Sequence, residues 1–121
     1  MSRVDELNRI LRTLQSGTPE IEAAAVVSED GLVIASALPQ HIDEALVAGM
    51  SATLLSLGTR AASELGRGSL EQVLIRGPKG YVVMVHAAPG TLLLVLATAE
   101  AKLGLVFLDM RRAVAEITRT L

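Results

Sequence analysis

One stretch of this 121-residue chain, residues 45–59, contains no charged side chain, although charged residues stand on both sides of it. Asp43 and Glu44 precede the stretch, Arg60 follows it, and the segment 42–65 is predicted to form one helix. A surface helix of a globular protein has one apolar stripe and one charged face. Because this helix lacks a charged face over about four turns, we expect its own sheet to cover one side and another molecule to cover the other.

The rest of the chain predicts two further helices and five strands. Ser2 can cap a first helix, and Asp30-Gly31 predicts a tight hairpin turn, because glycine tolerates the positive φ that such a turn needs. The predicted helices are 2–16, 42–65 and 103–120, and the predicted strands are 21–28, 32–37, 70–76, 81–86 and 91–97. The order of the elements is therefore α-β-β-α-β-β-β-α.

The apolar pattern of the strands predicts how the layers are arranged. Strands 81–86 and 91–97 are almost wholly apolar, so both of their faces must be covered, whereas strand 70–76 carries Glu71, Gln72 and Arg76 and suits a sheet edge. We predict an α/β protein of the α+β type: a three-layer αβα sandwich with a five-stranded, mainly antiparallel sheet, in one domain spanning 1–121. The first and last helices share one face, and the uncharged helix covers the other alone.

Composition and motifs exclude several classes of function. The net charge of -2 attracts neither nucleic acid nor an anionic membrane, and the chain has no cysteine. The longest apolar run, 91–99, is too short to span a bilayer. His41 and His86 have no partners at ligand spacing, and 77–80 (GPKG) lacks the frame of a phosphate loop. We predict a cytoplasmic protein that is not an enzyme, with no catalytic, cofactor-binding or metal-binding residues and no nucleic-acid or membrane partner.

The uncovered side of the uncharged helix is predicted to pair with a second copy of the chain. Its many small side chains would let another helix approach closely. A fully buried helix is the alternative, although 121 residues cannot easily surround a helix. Two copies would lie antiparallel about a two-fold axis, and the edge strand could pair with its own copy. The predicted interface residues are Ala45, Gly49, Ala52, Ser56, Leu70, Gln72 and Leu74.

The element order, the hairpin AAAVVSEDGLVIAS at 23–36 and the closing LGLVFLDMRRAVAEI at 103–117 resemble the Roadblock/dynein-light-chain superfamily. The similarity covers nearly the whole chain and is greatest to the bacterial MglB-like branch. It implies a Roadblock/profilin-like fold and a dimeric platform that binds a small Ras-like GTPase. Members of this branch act as GTPase-activating or co-regulatory factors, and other members belong to dynein or lysosomal signalling scaffolds.

The resemblance implies a non-enzymatic dimeric regulator or scaffold that acts on the switch regions of the GTPase. The predicted partner-binding residues are Val47, Ser51, Leu54, Leu55 and Gly58 on the uncharged helix. Which side of this helix faces the second copy stays open at this point. A passive dimeric adaptor in a motility or signalling complex and a small-ligand sensor domain are the alternative functions.

Overall fold

A computed structural model describes residues 2–121 of the chain. The helices are α1 (Arg3–Gly17), α2 (Glu44–Glu64) and α3 (Leu103–Thr120), and the strands are β1 (Ile21–Ser28), β2 (Val33–Ala37), β3 (Val73–Gly77), β4 (Gly80–His86) and β5 (Thr91–Ala97). The predicted order of elements is confirmed. The largest difference is in β3, which begins three residues later than predicted.

The five strands form one sheet in the order β2-β1-β5-β4-β3, and every neighbouring pair is antiparallel. The predicted five-stranded antiparallel sheet is therefore confirmed. β5 lies at the centre and β3 at one edge, as predicted, although Glu71 and Gln72, on which the edge prediction partly rested, precede the strand. The buried position of β1 between β2 and β5 had not been predicted, although all but its second and last residues are buried.

Alternate side chains of the central strands fill two separate cores. Leu93 and Val95 of β5 pack beneath α1 and α3, whereas Leu92 and Leu94 pack beneath α2. Successive residues of a strand point to opposite faces of a sheet, so a strand that is covered on both sides must be apolar throughout. The predicted division of the helices, with two on one face and one on the other, follows from these two cores.

Capping and turn residues place the helices on the sheet. The Ser2 hydroxyl accepts a hydrogen bond from the Asp5 amide at 3.1 Å, and the Asp43 carboxylate accepts one from the Leu46 amide at 3.2 Å. These side chains satisfy amides that have no partner inside the helix. At the other end of α1, the Thr18 hydroxyl donates to the Asp109 carboxylate and joins α1 to α3.

Gly80 in the β3–β4 turn is required by both its backbone and its surroundings. Its φ is +147°, and an added Cβ would lie 2.3 Å from the Ala97 carbonyl oxygen. We expect Gly80→Ala to lower the free energy of unfolding by about 2–3 kcal/mol, because an unfavourable φ and a backbone clash act together. Urea unfolding followed by circular dichroism measures this change.

Gly104→Ala is the matched control for Gly80→Ala. Gly104 lies in α3, has no positive φ, and an added Cβ would meet nothing within 4 Å. The control should raise the free energy of unfolding by about 0.5–1 kcal/mol, because alanine favours the helix over glycine. Equal effects of the two substitutions would contradict the described β3–β4 turn.

Candidate protein interface

The outer face of α2 carries large apolar side chains that nothing in residues 2–121 covers. Leu46, Met50 and Leu57 are 58%, 50% and 59% exposed, and their spacing places them on one side of the helix. The opposite side carries Ala48, Ser51 and Leu55, which are the buried residues of α2. One α2 face therefore packs on the sheet, and the other presents an apolar stripe to the outside.

Two of the predicted partner-binding residues lie on the wrong side of α2. Ser51 and Leu55 are each only 2% exposed, and Leu55 belongs to the core beneath the helix. The Ser51 hydroxyl donates to the Val47 carbonyl oxygen at 2.7 Å, which satisfies it without an external partner. The prediction that these two side chains form an exposed surface is wrong, because they stand opposite the Leu46–Leu57 stripe.

The other predicted partner-binding residues lie on one flank of α2. Val47 and Leu54 are half-buried against the core beneath α2. Gly58 faces the sheet side, since an added Cβ would lie 3.1 Å from Val73 and 3.3 Å from Leu70. Only the outer parts of Val47 and Leu54 are therefore open to a partner, and the binding role of all three residues stays a prediction.

The predicted stripe of small residues lies on the other flank of α2. Ala45, Gly49 and Ser56 are exposed and Ala52 is half-buried. This flank borders an open groove of about 490 Å³, which Ala52 and Ser56 line together with Glu29 and His86. The small residues thus stand beside the apolar stripe, and their place in a dimer interface stays a prediction.

The residues that form the exposed edge strand β3 differ from those predicted to pair with a second copy. Leu70 and Gln72 precede the strand, and Leu70 is half-buried against Gly58 of α2. Leu74 and Ile75 are exposed and point to opposite faces of the sheet. Of the residues predicted for strand pairing, only Leu74 is in the strand. An edge strand with exposed apolar side chains is suited to pairing with another strand.

A second open groove, of about 590 Å³, lies on the opposite face of the sheet. Its lining includes Phe107, Arg111 and Val114 of α3, together with Val85 and the Gln72 side chain before β3. The groove is mainly apolar and opens to solvent. It lies under no part of α2, so the two candidate binding surfaces of the protein are on different faces.

No catalytic arrangement is found in the part of the chain that the structure describes. Within residues 2–121, no three His, Asp or Glu side chains lie close enough to hold a metal ion. His86 Nδ1 lies 3.7 Å from a carboxylate oxygen of Glu29 at the surface, and His41 is exposed in the loop before α2.

The length and composition of α2 alone would allow it to cross a membrane. In this fold, however, Ala48 and Leu55 are buried on the side of α2 that packs against the sheet. Arg60 and Glu64 also form an ion pair at 3.0 Å in the last turns of the helix. A spanning helix is surrounded by lipid or by other spanning segments. The helix therefore presents one apolar face rather than an apolar cylinder.

The sequence reasoning missed the large residues of the α2 stripe, because it gave most weight to the small ones. Leu46, Met50 and Leu57 recur at intervals of four and seven residues, which is the spacing of one helix face. That spacing was the signal that these three residues share one face of the helix. Ala48 and Leu55 also recur at seven, so spacing alone does not say which of the two faces is the inner one.

The Roadblock/LC7 domain model matches residues 7–97 of this chain. The uncharacterized protein MJ1340 of Methanocaldococcus jannaschii is 41% identical over 111 residues, which is 92% of this chain and 96% of that protein. Two other uncharacterized proteins of the same organism are 40–41% identical. These relatives are archaeal and give no support to a bacterial origin, which the resemblance to the bacterial MglB-like branch implied.

Solved structures agree with the fold. Myxococcus xanthus MglB is 23% identical, with a TM-score of 0.87 over 96% of this chain and 87% of that chain. A Roadblock/LC7 domain from Streptomyces avermitilis is 26% identical, with a TM-score of 0.86 over 93% and 94% of the two chains. Acanthamoeba castellanii profilin II is 14% identical, with a TM-score of 0.63 over 93% and 97%. The predicted Roadblock/profilin-like fold and the similarity to MglB are confirmed.

Two leucines of the α2 region test which side of the helix faces the sheet. Leu55→Ala should lower the free energy of unfolding by about 2–4 kcal/mol, since it leaves a cavity in the core beneath α2. Leu65→Ala, at an exposed position at the end of the helix, should change it by less than about 0.5 kcal/mol. Urea unfolding measures both, and a loss at Leu55 no larger than the loss at Leu65 would contradict the buried position of Leu55.

Proposed function

We propose that this chain is a dimeric, non-enzymatic regulator or scaffold of a small Ras-like GTPase. The proposal starts from its family, since the chain belongs to the Roadblock/LC7 domain family. The observation that carries this proposal is the outer face of α2, which is apolar, uncharged over residues 45–59 and uncovered. A contiguous exposed apolar patch with no charged side chain is typical of an interaction site. The proposal has two parts, a homodimer and a GTPase partner.

The homodimer is supported by the chemistry of the α2 stripe. Leu46, Met50 and Leu57 are 50–59% exposed, so covering the remaining surface would release about 1 kcal/mol for each of them. A two-fold axis uses the same patch on both copies, so each side chain contributes twice to one interface. A Cβ atom added to Gly49, beside the stripe, would have no other atom within 4 Å, so this position leaves room for a second helix. The exposed β3 edge would let the two sheets continue into each other.

The GTPase partner rests on the family resemblance together with the lack of catalytic groups on α2. Arginine fingers complete the active sites of many GTPases, but residues 45–59 contain no arginine. Arg60 near the end of the helix is held by Glu64 at 3.0 Å. The protein would therefore act by binding one conformation of the switch regions more tightly than the other.

The structure restricts which residues of α2 can meet the GTPase. Since Ser51 and Leu55 are buried, the proposed contact moves to the half-buried flank of Val47 and Leu54. These side chains lie beside the stripe that we assign to the second copy. Dimer and GTPase would thus share one helix, and the two contacts would be adjacent rather than remote.

Leu57→Glu tests the homodimer. A carboxylate buried in the α2 interface would lose its hydration and cost several kcal/mol, which weakens a dimer by about a hundredfold or more. Sedimentation velocity should find monomer for this variant and dimer for the unchanged protein. Leu121→Glu, at an exposed position at the end of α3, is the control and should remain dimeric. A Leu57→Glu protein that is still dimeric would remove α2 from the interface.

Nucleotide-dependent binding tests the regulator. The dimer should retain a small Ras-like GTPase of the same organism more strongly in either the GDP or the GTP-analogue state, because only a difference in affinity for the two states shifts the switch. Leu54→Arg should weaken this binding by about tenfold and leave the dimer intact, whereas Val4→Arg on exposed α1 should have no effect. Equal binding in the two states would favour the passive adaptor, and no binding would reject this partner.

A small-ligand sensor is the second candidate function, and the groove of about 590 Å³ beside α3 favours it. Its size is in the range of ligand sites, and Arg111 and His86 stand among its apolar walls. Its open shape weighs against it, since ligand sites bury most of the ligand surface. A shift of thermal unfolding by a small anionic amphiphile, lost in Arg111→Ala, would support the sensor.

A further inference from the structure

The charges of this acidic protein are divided unevenly between its layers. Residues 2–17 and 102–120, which comprise α1 and α3 with their N-caps, contain seven of the eleven basic residues and four of the thirteen acidic residues. Their net charge is +3, so the rest of the chain carries -5. One face of an acidic molecule is therefore basic.

The acids of this basic layer are mostly engaged within it. Arg9 donates to Glu6 and, at 3.1 Å, to Glu116, and the hydrogen bond from Arg9 lowers the pKa of Glu6. Asp109 accepts from Thr18 and lies 3.4 Å from Arg112. Three of the four acids of the layer are thus paired within it and occupy only two of its seven cations.

The outer side of α3 combines these cations with exposed leucines. Among residues 2–121, neither Arg111 nor Arg119 makes an ion pair, and both are exposed. Leu105 and Leu108 on the same helix are also exposed. We name these four residues the α3 patch. Its chemistry matches a surface that offers carboxylates around an apolar side chain.

Such a surface exists on the protein itself, at the opposite edge of the sheet from β3. Glu44 at the start of α2 accepts a hydrogen bond from Ser36 of β2, and an added Cβ on Gly31 would lie 3.5 Å from Gly49. These contacts place the β1–β2 hairpin beside the first turns of α2. Asp30, Leu32, Asp43 and Glu44 together form what we name the hairpin patch.

The hairpin patch is the complement of the α3 patch. Within residues 2–121, its three carboxylates make no ion pair. Leu32 is 66% exposed, more than any other large apolar residue except Leu65. We infer that the hairpin patch of one molecule docks on the α3 patch of a second copy, with Leu32 against Leu105 and Leu108 and the carboxylates facing Arg111 and Arg119.

This contact differs in kind from the proposed homodimer. It joins two different surfaces of the same chain, so it does not close on itself and instead links molecules into rows. It leaves the outer stripe of α2 and the β3 edge free, and it can therefore connect dimers. Because its charges lie at the surface, salt screens them within about 10 Å at 0.1 M.

Sedimentation velocity at two salt concentrations tests the contact. The unchanged protein should form species larger than a dimer at about 0.05 M NaCl, and its apparent association constant should fall at least about tenfold at about 0.5 M NaCl. R111E/R119E and, separately, D30K/E44K should each stop at the dimer. R67E/K79E changes the net charge by the same amount as R111E/R119E outside both patches, and it should assemble like the unchanged protein.

Mixing the two reversed variants gives the decisive result. R111E/R119E carries two acidic patches and D30K/E44K carries two basic patches, so a mixture should recover the larger species that neither forms alone. No species beyond the dimer at low salt, no recovery on mixing, or an equal loss in R67E/K79E would overturn the inference. Flotation with phosphatidylserine vesicles that depends on Arg111 and Arg119, without self-assembly, would assign the α3 patch to a membrane instead. If the dimer persists in every variant and at both salt concentrations, a failure of this contact does not affect the proposed homodimer.

Discussion

The structure depends on the burial of both faces of β1 and β5. Their side chains alternate between two cores, one beneath α1 and α3 and the other beneath α2. A sheet whose central strands are apolar on both sides is stable only when each face is covered. The three helices cover these two faces unequally. One face has a pair of helices, and the other has α2 alone.

This unequal cover gives the two faces different chemistry. α1 and α3 support each other through Arg9, Glu116 and the Thr18–Asp109 hydrogen bond, and they expose charged side chains to solvent. α2 has no neighbouring helix and exposes Leu46, Met50 and Leu57. It also leaves the β3 edge partly open, where Leu74 and Ile75 are exposed. The surfaces suited to binding follow from the shortage of helices on this face.

The fold could be predicted in detail because its local signals agree with one another. Asp43 caps α2, Gly31 has the positive φ of the hairpin turn, and the bounds of β1, β5 and α3 match the prediction. The start of β3 could not be predicted from the sequence. Leu70 is apolar like its neighbours in the predicted strand, but in the fold its side chain packs against Gly58 of α2. Such a contact between distant segments leaves no local signal.

The sequence by itself determined the elements, their order and the uncharged character of α2, because caps, turns and apolar periods act over a few residues. Only the tertiary structure decided which side of α2 is the inner one. Two faces of this helix are apolar, and the choice depends on which of them fits the sheet. Ser51 and Leu55 are buried there, and Leu46 and Leu57 are left outside. The placement of the two charged surfaces also arises only in the fold, since the hairpin lies at the β2 edge of the sheet beside α2, whereas α3 covers the other face of the sheet.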